Sequence, residues 1–218
     1  MNKLIVIEKI IREAGFQFSE EVKKKLTDYL NLVIEWSERT NLVSRLDESA
    51  LVERHVLESL AILVAIEIPS GSRIVDVGSG GGFPSIPVAL ICSDLQFALV
   101  ESKRMKALFL REVVSQLELK NVEVYNERVE EFEKMRKWEA YFDFGFSRAV
   151  ANIEIIYGWI KNIIKPQGIY VAWKGGNVEG EIKKLRSKYP DVFVKKIEMD
   201  ERFVKPVKKR CFVTVLRN

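Results

Sequence analysis

The chain has 218 residues, 47% hydrophobic and 30% charged, which is typical of one globular domain with an appendage. Its 35 basic and 31 acidic residues give a net charge of +4, which permits an anionic partner without requiring one. The two cysteines, Cys92 and Cys211, lie far apart and outside any Cys/His cluster. Composition therefore argues against a disulfide framework and a zinc site, and predicts two buried thiols.

The N-terminal segment shows neither an export signal nor a membrane anchor. Its apolar stretch is interrupted by Glu8 and Lys9 and is not followed by a small-residue cleavage site. The longest apolar stretch near the middle, 60–66, is far shorter than the roughly 20 residues that span a bilayer. We expect a cytoplasmic protein that does not engage a membrane.

Residues 1–68 have the spacing of amphipathic helices throughout. The first apolar stripe stops at Gly15, a natural helix C-cap, and Ser19 can cap a second helix. Asp47 can cap a third helix, whose inner face includes Leu60. The sequence predicts a helical N-terminal extension over these residues.

After Pro69 the pattern changes to short apolar runs that alternate with amphipathic helices. We predict strands at 73–77, 96–100, 122–125, 142–146 and 169–173, helices at 84–91, 103–117, 129–135, 153–163 and 178–188, and two antiparallel edge strands at 192–197 and 211–216. Such alternation indicates an α/β fold with a doubly wound, mostly parallel, seven-stranded Rossmann-like sheet over 69–218.

A glycine loop follows the first predicted strand, where a doubly wound sheet binds its ligand. It reads Asp76-Val77-Gly78-Ser79-Gly80-Gly81-Gly82-Phe83-Pro84. A phosphate-binding P-loop would need a lysine, and none occurs between Arg73 and Lys103. A dinucleotide fingerprint would need glycine where Phe83 stands. The remaining pattern, an acid followed by spaced glycines, is typical of class I methyltransferases that use S-adenosylmethionine.

Acidic residues at neighbouring strand ends agree with that ligand, which is cationic and carries no phosphate. Asp76 opens the loop, and Glu101-Ser102 follows the second strand, where a carboxylate can accept ribose hydroxyls. NAD would use the same acid. Val129 and Glu130 follow the third strand, where these folds hold adenine. The alternatives are a turn cap for Asp76 and a solvated charge for Glu101.

The turn after the fourth strand, Ser147-Arg148-Ala149, restricts the acceptor. It contains no NPPY-like sequence to grip an exocyclic amino group. Cytosine C5 chemistry needs a cysteine nucleophile near the donor, and neither Cys92 nor Cys211 is placed for that role. An acceptor that is already nucleophilic remains, such as guanine N7, for which positioning and electrostatics would supply the catalysis.

The sequence resembles, over nearly its whole length, the bacterial small-subunit ribosomal RNA guanine-N7 methyltransferases, the glucose-inhibited division protein B family. The motifs that carry the resemblance are Asn41-Leu42, Arg54-His55-Val56-Leu57-Glu58-Ser59-Leu60, the loop from Asp76 to Pro84, Glu101-Ser102 with Lys106, Val129-Glu130, Ser147-Arg148-Ala149 and Lys174-Gly175. One departure is Glu58, where the family usually has aspartate.

This resemblance implies methyl transfer to N7 of one guanine in 16S rRNA near the decoding site, with S-adenosylmethionine as cofactor. It also implies that residues of the glycine loop and of the strand ends contact this methyl donor. Together with the loop residues, the predicted donor site comprises Asp76, Gly78, Gly80, Phe83, Glu101, Ser102, Val129, Glu130 and Arg148.

Four residues are candidates for acceptor chemistry. Arg148, beside the donor pocket, and His55, the only histidine, are the candidate catalytic residues, and Asn41 and Lys174 are candidate substrate contacts. His55 could equally be a partly buried histidine, and Asn41 a turn or helix cap.

The partner that these features favour is 16S rRNA or the small ribosomal subunit, bound by a monomer. Basic clusters that could contact an RNA backbone are Lys183, Lys184, Arg186 and Lys188, and Lys205, Lys208, Lys209 and Arg210; Trp173, Tyr189 and Phe203 could stack on bases or lie in the core. The alternatives are a small-molecule methyltransferase and a non-enzymatic RNA-binding protein that keeps a vestigial donor pocket.

Overall fold

The computed structural model describes residues 3–40, 42, 55–204 and 209–217. It contains one seven-stranded sheet with the order β3-β2-β1-β4-β5-β7-β6. The strands are β1 (Arg73–Val77), β2 (Gln96–Val100), β3 (Val122–Tyr125), β4 (Phe142–Arg148), β5 (Ile164–Gly175), β6 (Val192–Glu198) and β7 (Arg210–Arg217). The predicted strands are all present.

Chain order reverses at β1, which pairs in parallel with both β2 and β4. The next neighbours, β3 and β5, are parallel as well. β7 is inserted antiparallel between β5 and the edge strand β6, which confirms the predicted antiparallel pair. The carboxyl ends of β1 and β4 therefore flank the crevice in which such sheets bind ligands.

Helices cover both faces of this sheet. They are α1 (Lys3–Glu13), α2 (Glu20–Arg39), α3 (Leu57–Leu60), α4 (Ile62–Ala65), α5 (Ser85–Ile91), α6 (Arg104–Gln116), α7 (Val129–Phe132), α8 (Ile153–Ile160) and α9 (Glu179–Lys188). One apolar core packs the helices from α1 through α6 against one face of the sheet. A second apolar core packs α7, α8 and α9 against the other face. In the described part of the chain no helix is both long and apolar enough to cross a bilayer.

The N-terminal helices begin and end largely as their capping residues predict. Gly15 has a φ of 89° just after α1, and the Ser19 hydroxyl accepts a hydrogen bond from the Val22 amide at the start of α2. Asp47 lies outside the described residues. The division of the chain into segments 1–68 and 69–218 stays a prediction.

Four predicted elements differ from the structure by three or more residues. The predicted helices at 129–135 and 153–163 end at Phe132 and Ile160, three residues early. The predicted third helix is interrupted at Ala61, between α3 and α4. Before that break, the His55 carbonyl accepts bonds from the Ser59 hydroxyl and from Arg148, and such side-chain bonding to a helix carbonyl bends helices. β5 begins at Ile164 rather than at 169, because Ile164 already pairs with Phe142 of β4, ahead of an irregularity in the register between Phe142 and Phe144.

The glycine loop between β1 and α5 is docked against α2. Tyr29, fully buried on α2, donates a hydrogen bond of 2.6 Å to the Gly81 carbonyl. Gly82 has a φ of 87°, and a Cβ there would lie 2.6 Å from Ile86 Cγ1 and 3.1 Å from Tyr29 Oη. The last glycine of the loop thus allows close packing against the helical extension.

We expect Gly82→Ala to destabilise the fold by more than the roughly 1–2 kcal/mol that a left-handed φ costs an L-residue, because the new methyl group would also clash with buried side chains. Gly15→Ala is the matched control, since Gly15 has a φ of 89° and nothing within 4 Å of its added Cβ. Denaturant midpoints measure both effects. Equal losses in the two variants would contradict the packing role of Gly82.

Candidate functional site

The glycine loop provides open backbone at the carboxyl end of β1. Gly78 has a φ of 69°, and a Cβ there would lie 2.7 Å from Val150 Cγ2, so glycine lets the turn after β4 close over the loop. Gly80 has a φ of 57°, and its added Cβ would meet nothing closer than the Gly78 carbonyl at 3.7 Å. Of Gly78, Gly80 and Gly82, Gly80 therefore leaves the most room for a ligand to approach the backbone.

Glu101, buried at the end of β2, anchors this loop. Its Oε2 accepts a hydrogen bond of 2.9 Å from the Gly80 amide, and its Oε1 accepts one of 2.8 Å from the Lys103 amide. Each carboxylate oxygen can accept a second bond, so Glu101 can both shape the loop and receive ligand hydroxyls. Its anchoring role was not visible in the sequence.

Asp76 lies fully buried beneath the loop. Among the described residues neither of its carboxylate oxygens has a hydrogen-bond partner, and the buried Ser85 hydroxyl beside it also has none. Burial raises the pKa of Asp76 to about 7, and the neighbouring hydroxyls of Ser85 and Ser79 offset that rise only in part. A buried carboxylate without a partner is energetically costly. The ligand-free site therefore favours the binding of a cation.

The ends of β2 and β3 bring the other predicted donor residues to the same edge. Val129 is buried at the start of α7, Glu130 is half-buried beside it, and Ser102 is exposed. Asn126 connects these two ends, because its Nδ2 donates to the carbonyls of Glu101 at 2.9 Å and Ser102 at 3.2 Å. Sequence reasoning missed Asn126, which bears no motif.

Arg148 ends β4 at the centre of a polar cluster. Its Nη2 lies 2.7 Å from Glu58 Oε2 and 3.0 Å from His55 Nδ1, and its Nη1 donates to the His55 carbonyl at 3.1 Å. The His55 ring lies 5.0 Å from that of Phe83. The two predicted catalytic residues are thus in contact beside the glycine loop. Arginine can only donate, so His55 Nδ1 accepts and the ring proton is placed on Nε2.

Glu58 connects this cluster to β5 and β7. Its Oε1 accepts a hydrogen bond of 3.2 Å from Arg210 Nε, and its backbone carbonyl accepts one of 2.9 Å from Trp173 Nε1. Lys174 Nζ donates to the Ala151 carbonyl at 3.0 Å and to Glu181 at 2.8 Å. The predicted substrate contact Lys174 is therefore paired within the protein.

The remaining predicted RNA contacts are divided between core and surface. Trp173 and Phe203 are buried, and Tyr189 packs against Tyr157 with ring centroids 5.0 Å apart. Lys183, Lys184 and Lys188 are exposed along α9, as is Arg186, whose Nη2 donates to the Val194 carbonyl. Asn41, Lys205 and Lys208 lie outside the described residues. Both cysteines are free and buried, as predicted, and burial raises the pKa of Cys92 to about 12.

Comparison with known proteins distinguishes among the many families that share this fold. The family model described as rRNA small subunit methyltransferase G matches residues 22–205. The chain belongs to this family. The predicted family and the predicted Rossmann-like methyltransferase fold are thereby confirmed.

Individual relatives agree with the family match. Ribosomal RNA small subunit methyltransferase G of Clostridium beijerinckii is 32% identical over 177 residues, which cover 81% of this chain and 74% of that protein. The protein of the same name from Shigella flexneri is 33% identical over 199 residues and 91% of each chain. A solved SAM-dependent methyltransferase from Aquifex aeolicus superposes with a TM-score of 0.55 at 17% identity, over 77% of this chain and 92% of that one. At that identity the likeness shows the fold alone.

In this member of the methyltransferase G family we expect Asp76→Asn to stabilise the ligand-free protein above about pH 7, where the wild-type carboxylate is ionised and unpaired. The folded chain keeps the Asp76 proton up to about pH 7, whereas the unfolded chain releases it near pH 4. Between these values the free energy of unfolding should fall as pH rises, by at most about 1.4 kcal/mol per pH unit.

Denaturant unfolding at about pH 5 and about pH 8 measures this slope. The control is Asp191→Asn, which removes an exposed carboxylate and should leave the wild-type profile unchanged. If Asp76→Asn and wild type have parallel pH profiles, Asp76 is not the group responsible.

Proposed function

We propose that the chain transfers a methyl group from S-adenosylmethionine to N7 of a guanine in 16S rRNA, near the decoding region. The observation that carries this proposal is the meeting of the glycine loop and the Arg148 cluster at one end of the sheet, in a chain whose family is rRNA small subunit methyltransferase G. Phe83 belongs to the loop and packs against His55 of the cluster, so donor and acceptor groups would share one site.

The residues present fit S-adenosylmethionine, which when bound supplies an electrophilic methyl group on a sulfonium. A bound cation would favour the ionised form of the buried Asp76 carboxylate, so the occupied site would carry a negative charge suited to that cation. Glu101 would hold the ribose with its remaining acceptor capacity, and Val129 and Glu130 would hold the adenine. Gly80 leaves room for close approach to the backbone.

Guanine N7 suits this site because its lone pair is available without removal of a proton. The cofactor would supply the methyl group and keep the electron pair of the methyl–sulfur bond on its sulfur, so the protein would need no general base at N7. Arg148 can donate to guanine O6 and position the base. Glu58, in the same cluster, would hold Arg148 in that position. His55 would hold Arg148 in place and contact the substrate.

The acceptor in the cell would be 16S rRNA or the assembling small subunit, bound by a cytoplasmic monomer. Asn41 and Lys174 would contact it. Lys174 would then exchange its present bond to Glu181 for a bond to the substrate.

A methyl-transfer assay tests the proposal. The purified protein is incubated with radiolabelled S-adenosylmethionine and with small subunits or 16S rRNA from cells that lack this enzyme. Nucleoside mass mapping should find one new 7-methylguanosine. Arg148→Lys, which keeps the charge and loses the planar fork, should reduce transfer strongly. Methylation at another atom, or turnover of small metabolites without RNA, would refute the assignment.

We expect Glu101→Gln to weaken binding of S-adenosylmethionine about tenfold or more, which corresponds to at least ~1.4 kcal/mol. A glutamine has one acceptor oxygen, so it cannot satisfy both the Gly80 and Lys103 amides and also receive ribose hydroxyls. Calorimetric titration measures the affinity. Glu112→Gln, on the exposed part of α6, is the control and should bind normally; equal affinities in both variants would rule out the role of Glu101.

A further inference from the structure

A cavity lies beside the Arg148 cluster and is lined in part by His55 and Arg148 themselves. Its volume is about 310 Å³, and it is lined by three cationic side chains, Arg148, Lys174 and Arg210, and by a single carboxylate, that of Glu58. A cavity with this excess of positive charge selects an anion. Arg148 ends β4 and Arg210 begins β7, so the cavity continues the proposed active site along the carboxyl edge of the sheet.

The three cations differ in the hydrogen bonds that they already make. Lys174 is bonded to Glu181 and to the Ala151 carbonyl, and Arg148 is bonded to Glu58 and His55. Arg210 uses only its Nε, toward Glu58, and its two terminal nitrogens have no hydrogen-bond partner in the described part of the chain. Arg210 therefore has the four N–H donors of its terminal nitrogens to spare in the described structure, whereas the Lys174 ammonium has one. The Arg210 side chain is 25% exposed.

Two neighbours fix the position of this guanidinium. Glu58 holds it from one side through Oε1, at 3.2 Å. Gly175, its partner in the β5–β7 pairing, lies beneath it, and a Cβ at Gly175 would fall 2.5 Å from Arg210 Nη1. A side chain there would displace the guanidinium, so the glycine allows it to lie across the strand.

We propose that Arg210 binds a phosphate group of the RNA strand next to the target guanine, and that Glu58 is a positioning residue that aligns Arg210 with Arg148. A guanidinium held at Nε presents its two terminal nitrogens as a planar fork, which matches a phosphate. One carboxylate then sets the separation between the group that orients the base and the group that holds the backbone. This role rests on the RNA methylation proposed above.

Binding of the full-length protein to 16S rRNA over a range of salt concentrations tests the phosphate contact. Arg210→Gln should lower the slope of log K against log salt by about 0.7 to 0.9, the contribution of one phosphate. The KM for RNA should rise about tenfold with kcat little changed, and the affinity for S-adenosylmethionine should stay the same. Lys9→Gln, which removes a lysine that is 75% exposed on α1, should change none of these values.

Gly175→Ala tests the geometry without changing the charge. The methyl group should displace the flexible end of Arg210, raise the KM for RNA and leave the denaturant midpoint near that of the wild type. Glu58→Gln should release the guanidinium groups of both Arg148 and Arg210, which lowers kcat and raises the KM for RNA together. Glu58→Asp keeps the charge and can still hold Arg148, so its kcat should lie between those of Glu58→Gln and the wild type.

An unchanged salt slope in Arg210→Gln would overturn the inference. So would weakened binding of S-adenosylmethionine in that variant, because the anion would then be the donor's own carboxylate. Since RNA binding is measured without turnover, these outcomes are separate from a failure of the wild-type protein to methylate RNA, which would refute the proposed function itself.

Discussion

A buried ion pair between Glu58 and Arg148 joins the N-terminal helices to the carboxyl end of β4, and both parts of the site depend on it. The two side chains are 8% and 12% exposed and lie 2.7 Å apart. Taking such charges out of water costs several kcal/mol per ion, which is recovered only if their other donors and acceptors are satisfied. His55 accepts a further hydrogen bond from Arg148, and Arg210 donates one to the second carboxylate oxygen of Glu58. The helical segment and the sheet therefore cannot shift independently at this point.

The three buried carboxylates of the site are in different electrostatic states. Glu58 is neutralised by two arginines, and Glu101 is held by two backbone amides. Asp76 is buried with neither kind of partner among the described residues. Folded proteins accept a local conflict of this sort mainly at functional sites. The ligand-free protein is thus destabilised at Asp76, and a bound cation would neutralise that carboxylate.

Periodicity and turn chemistry were enough to predict all seven strands and the loop from Asp76 to Pro84, because these depend on local pattern. The contact between Arg148 and Glu58 spans 90 residues and could not be read from either segment. The bond from Arg148 to the His55 carbonyl spans 93 residues and was equally invisible in the sequence. The candidate residues of the site were named from the sequence, whereas their mutual bonds required the fold.

The length of the Glu58 side chain allows it to make two such bonds at once. Oε2 contacts Arg148 and Oε1 contacts Arg210, so one side chain spans two guanidinium groups from different strands. Arg210 cannot approach much closer without moving β7, whose position is fixed by its pairing with β5. With a shorter carboxylate, one of the two contacts would lengthen or would need a bridging water. The glutamate thus couples the two cations directly, and its length suits the distance between β4 and β7.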